Sequence, residues 1–164
     1  MLDLTEQQPL NMDALSSRLL TLIALSGEFP TAQVNRLPYT GSYKQFTVKA
    51  LKRAGMIRAY SRDDLRGLRL TALGKNLLLS NDADKFGALF SGSTATNTPK
   101  YSVIHRLRLH RMAEVLVTMF NAGVSVLPWE KPNVFAPTPP DDTLTIDRPA
   151  YYSSREVKEI GRAS

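Results

Sequence analysis

The 164-residue chain contains no cysteine, only two histidines and one tryptophan. Without thiols there is no disulfide framework, no thiolate zinc site and no cysteine nucleophile, which fits a reducing compartment. Long apolar runs are missing too. The longest, LLTLIAL, falls far short of the roughly 20 residues of a membrane span. The start, MLDLTEQQPLNMD, is acidic and polar where a signal peptide needs a basic start and an apolar run. A soluble, cytoplasmic protein with no membrane partner is expected. His105 and His110 do not have the spacing that sets two ligands on one helical face, and no carboxylate stands at metal spacing, so no metal site and no cofactor are read. Neither GxSxG nor GxxxxGK occurs, which removes the common serine-nucleophile and phosphate-loop chemistries.

Acidic residues are scarce in one region only. The whole chain carries 21 Lys and Arg against 15 Asp and Glu, a net charge of +6. Residues 36–75 hold ten of the cations and two acids, Asp63 and Asp64, whereas residues 1–35 hold one Arg and four acids. A concentrated excess of this sign favours a polyanionic partner.

Residues 13–26, DALSSRLLTLIALS, carry leucines at near-helical spacing and stop at Gly27. A short helix, AQVNRL, follows Pro30-Thr31 and ends at Pro38. Ser42-x-x-Gln45 has the form of a capping box, so a third helix is expected from Ser42 to Gly55. Its spacing turns Tyr43, Phe46, Thr47, Ala50, Leu51 and Ala54 inward. Lys44, Gln45, Val48, Lys49, Lys52 and Arg53 then form the outer face. Taken alone, such a face is ordinarily a solvated one.

Met56 to Tyr60 and Leu68 to Leu70 read as two strands around the turn SRDDLRG, with Arg58, Arg62, Arg66 and Arg69 along them. Thr71 caps a further helix with Leu73, Leu77 and Leu78 at core spacing. In this order of elements, and in LRLTALGKNLL, the chain resembles winged helix-turn-helix proteins of the MarR-like and PadR-like kind over about residues 12–80. The resemblance implies a mainly α fold with a small β-hairpin wing and sequence-selective binding of double-stranded DNA. An α-helix fits the major groove, Gln and Arg read base edges, and Lys and Arg hold phosphates. The implied contacts are Ser42, Tyr43, Lys44, Gln45, Val48, Lys49, Lys52 and Arg53 on the helix, with Arg58, Arg62, Arg66 and Arg69 on the wing.

The expected organisation is a DNA-binding domain over 1–90, a linker over 91–100, and a long helix with the start of a truncated α/β domain over 101–164. YSVIHRLRLHRMAEVLVTMFNA (101–122) has a broad apolar face and a basic first half, Arg106, Arg108 and Arg111, read as a solvated rim on a core or dimerisation helix. A homodimer through 101–122 is expected. The run HRLRLHRMAEVLVTMFNAGVSV with AYYSSREVKEIG resembles, more weakly, replication-relaxation-like proteins of conjugative elements and plasmids of Firmicutes. That implies a role on mobile DNA in replication, mobilisation or transcriptional control. Two alternatives stay open. Winged helices also serve as protein-interaction modules, and Pro140-Asp141 with Glu156-Val157-Lys158 spells the PD…ExK letters of metal-dependent nucleases. The SSRE stretch reads instead as a helix cap, so no catalytic activity is expected.

Overall fold

A computed structural model describes residues 13–90, 102–131, 149–154 and 156–158. The described chain is mainly helical with one small antiparallel sheet. Helix α1 (Ala14–Ser26) begins where the Asp13 carboxylate accepts the Ser16 amide, and stops at Gly27, whose φ of 75° is the left-handed turn that glycine tolerates. Strand β1 (Phe29–Pro30) leads into the short helix α2 (Thr31–Val34), and α3 (Gly41–Arg53) follows a turn. Strands β2 (Ile57–Arg62) and β3 (Leu65–Leu70) form a hairpin, and β1 adds to β3 as a third strand, giving the order β1-β3-β2. The two-residue β1 was not foreseen, because it is too short to show alternation and half of it is proline.

The hairpin is longer and its turn tighter than expected. Asp63 and Asp64 alone form the turn, with φ of 54° and 60°, the doubly left-handed geometry that matches the twist of paired strands. Thr71 then does what its position suggests. Its hydroxyl accepts the Gly74 amide and donates to the Gly55 carbonyl, so one residue caps α4 (Ala72–Asn81) and ties it to the end of α3. Asp82 caps a further helix, α5 (Ala83–Leu89), within the span expected for the first domain. The expected linker, 91–100, falls outside the described residues.

Beyond it, α6 (Val103–Asn121) starts at a Ser102 cap and lies against α1, α2, β1 and β3. Ala113 and Val117 enter the same core as Leu19, Leu22, Phe29, Leu51 and Leu68. Leu116 packs with Val126 and Leu127 in a smaller cluster, and a parallel bridge joins Ser125 to Ala150. The exposed side of α6 carries Ile104, Leu107, Met112 and Val115.

Candidate nucleic-acid interface

The register of α3 departs from its apolar spacing. Lys44, Thr47 and Leu51 are the buried positions, while Phe46 is 68% exposed. The capping box does not form either: the helix starts at Gly41 after Thr40, and Ser42 sits exposed inside its first turn. Lys44 explains the rotation. Its Nζ donates at 2.7 Å to the carbonyl of Asn35, which ends α2, and at 3.3 Å to that of Leu37, which also accepts the Tyr39 amide. Lys44 is therefore a buried cap of α2, not a free cation on the outer face. Tyr43 is half-buried, edge-on to Tyr39 with ring centroids 5.9 Å apart.

The rest of the expected set stays outward. Ser42, Gln45, Lys49, Lys52 and Arg53 are exposed on α3, Val48 is half-buried, and Arg58, Arg62 and Arg66 are exposed on the hairpin. Among the described residues, Lys49, Lys52, Arg53, Arg58 and Arg66 make no ion pair, and α3 contains no acid to neutralise them. Arg62 has only the loose contact with Asp63 at 3.9 Å. Between α2, α3 and the hairpin turn lies an open groove of about 640 Å³, bordered by Asn35, Gln45, Lys49, Lys52, Arg66 and His110. The Thr31 hydroxyl donates to the Arg66 carbonyl at 3.0 Å and fixes the hairpin to the start of α2.

Arg69 does not join this surface. Its Nε donates to Glu28 Oε1 at 2.7 Å, and Glu28 is fully buried. Two residues of α6 converge on the same carboxylate. Arg106, only 1% exposed, donates through Nε to both Glu28 oxygens at 3.2 Å, and His110 Nε2 bonds to Glu28 Oε2. The remaining Arg106 N–H groups reach the carbonyls of Arg62 at 2.7 Å and Leu65 at 3.1 Å, either side of the hairpin turn. Both guanidinium groups lie over the Tyr60 ring, 4.3 and 4.6 Å from its centroid. So Arg106 is a buried staple between α6 and the hairpin, where a solvated rim was expected. Arg108 and Arg111 remain exposed.

Burial alone would push the Glu28 carboxyl up. Hydrogen bonds from Arg106, His110 and Arg69 outweigh it and hold the group below its ordinary value, so Glu28 is an anion that only accepts. Gly67 makes room for it: a Cβ at that position would overlap the Glu28 side chain. Sequence reading missed Glu28. Its one trace is an acid set between a helix-stopping glycine and Phe29.

Pro140 and Asp141, of the nuclease letters, lie outside the described residues. Glu156 accepts from Lys131 Nζ at 2.5 Å and from the Ser153 amide at 2.6 Å, while the Ser153 hydroxyl accepts the Glu156 amide, a reciprocal cap. Burial would raise the Glu156 carboxyl, but Lys131 and Ser153 overcome that and lower it. Among the described residues no group of three or more His, Cys, Asp or Glu could hold a metal, and no helix is long and apolar enough to cross a membrane.

No protein-family model matches the chain, and neither the curated proteins nor the solved structures compared with it include a match.

Proposed function

We propose that this chain is a winged helix-turn-helix protein that binds double-stranded DNA sequence-selectively. On this reading α2 and α3 are the helix-turn-helix, α3 enters the major groove, and the β2–β3 hairpin is the wing on the adjacent backbone. The observation that supports it is that five exposed cations on those two elements, Lys49, Lys52, Arg53, Arg58 and Arg66, make no ion pair among the described residues. Gln45 lies among them with a side chain able to make two hydrogen bonds to the major-groove edge of adenine. The setting, by the weaker resemblance, is a mobile element, with a role in replication, mobilisation or transcriptional control. Binding to mixed-sequence duplex, measured by anisotropy across a salt series, tests the reading. Affinity should fall linearly on a log–log plot, because each phosphate contact releases a counterion. Gln45→Ala should flatten the preference among duplex sequences more than it weakens binding.

A protein-interaction module is the second reading, favoured by Phe46 standing 68% exposed in the middle of the outer face of α3. Negligible affinity for every duplex at low salt would leave that reading in place of the first.

The exposed side of α6, with Ile104 at 65% exposure beside Leu107, Met112 and Val115, is the surface we assign to a second copy. Two copies joined there would carry two recognition helices to paired half-sites. Sedimentation equilibrium should show a dimer that Ile104→Glu dissociates; a wild-type monomer at tens of micromolar speaks against it.

A further inference from the structure

We infer that Phe46, in the middle of the outer face of α3, reads the 5-methyl group of a thymine in the major groove; this rests on the DNA reading above. Helix α3 buries Lys44, Thr47 and Leu51 on one side. The opposite side is a row of Ser42, Phe46, Lys49 and Arg53, which follow one another by four, three and four residues and are all exposed. Phe46 is the one apolar member of that row. Its side chain belongs to neither apolar cluster of the core and stacks on no other ring among the described residues. Packing within the described chain therefore does not account for a phenyl ring at this place.

The neighbours narrow what can cover it. Lys49 and Arg53 lie on the same row, and neither makes an ion pair among the described residues. A purely apolar cover would press on these cations with no anion to meet them. A protein surface would have to set an apolar spot inside a ring of acids. The major groove has both parts by its own chemistry. Phosphates line its two walls, and on its floor the C5 methyl of thymine is the apolar group that marks a T·A pair.

Groove geometry decides which part of the base the ring meets. A helix lying in the major groove turns its outermost row to base edges and its flanks to the walls. On α3 the outermost row holds Phe46, while Gln45 and Lys52 on one flank border the groove shared with the hairpin. The ring thus meets an edge and not a stacked face. Cytosine has a hydrogen where thymine has its methyl, so the contact separates T·A from C·G at one position without a hydrogen bond.

The test uses the full chain and a pool of random duplexes from which preferred sequences are selected. Each thymine of a selected duplex is then replaced in turn by uracil, which keeps every hydrogen-bonding group and lacks only the methyl. At one position per recognition helix wild-type affinity should fall about three- to fivefold, the worth of one buried methyl. Phe46→Ala removes a ring that is outside the core, so the variant should fold. It should bind the thymine duplex more weakly, keep the wild-type salt slope because no charge has changed, and lose nothing further with uracil at that position. Uracil tolerated at every position, an equal uracil loss in Phe46→Ala, or a pool with no preferred sequence overturns the inference while leaving phosphate-driven binding intact. Absence of any duplex binding at low salt removes the DNA reading and this inference together, and leaves the ring to a protein partner.

Discussion

Glu28→Gln should lower the unfolding free energy by about 3–5 kcal/mol, the effect of stripping one partner from a buried charge cluster. The variant leaves Arg69 and Arg106 buried without a counter-ion, and the new amide presents donors toward donors. Urea denaturation at neutral pH measures the loss, and a difference below about 1 kcal/mol would mean the cluster is no more than a surface pair in effect. Acid gives the same cluster a second signature. The folded carboxyl is held below its ordinary 4.5, so its contribution is fully present above that pH and is lost as pH falls through the lower folded-state value. Wild type should thus weaken on acidification below about 4.5, and the glutamine variant should lack that part of the decline.

Lys49→Glu should weaken duplex binding about 60-fold at about 0.1 M salt, taking a slope near 0.9 per phosphate contact and a change of two charges. Lys49 is exposed on α3, makes no ion pair among the described residues and borders the groove, so the reversal acts on a charge that faces the proposed phosphate path. The salt slope itself should become shallower. Lys44→Met is the instructive comparison, because its ammonium is already used on the carbonyls of Asn35 and Leu37. That variant should lose stability before it loses salt dependence. Equal slopes for wild type and Lys49→Glu would remove Lys49 from the interface.

Local chemistry made much of the fold legible in the sequence. The Gly27 stop and the Thr71 cap each depend on a few neighbouring residues and stand where their pattern puts them, while the hairpin forms from the expected strands lengthened until only Asp63 and Asp64 are left to turn. What local pattern could not supply was the use of long polar side chains as interior parts. Lys44 counts as polar in any periodicity, yet its stem lies inside and its ammonium serves backbone acceptors, which turned the assigned face of α3 and left Phe46 outside. Arg69 and Arg106 look the same in sequence as Arg66 and Arg108. Only Glu28, 41 and 78 positions away respectively, separates the buried pair from the exposed one. Of the twelve expected contacts, the position of Lys44 and Arg69 changed for this reason.

The separation between Glu28 and Arg106 also bears on how the chain folds. Strands β2 and β3 meet across two residues, and closing so short a loop is fast, whereas bringing residue 106 back to residue 28 closes one of the longest loops in the molecule. During synthesis, Glu28 and Arg69 emerge well before α6 exists. Until the ribosome has released residues 103–121, the carboxylate has one cation in place of two, and the hairpin carbonyls of Arg62 and Leu65 have water in place of a guanidinium. The nascent hairpin is thus a provisional structure whose final seat is set by α6.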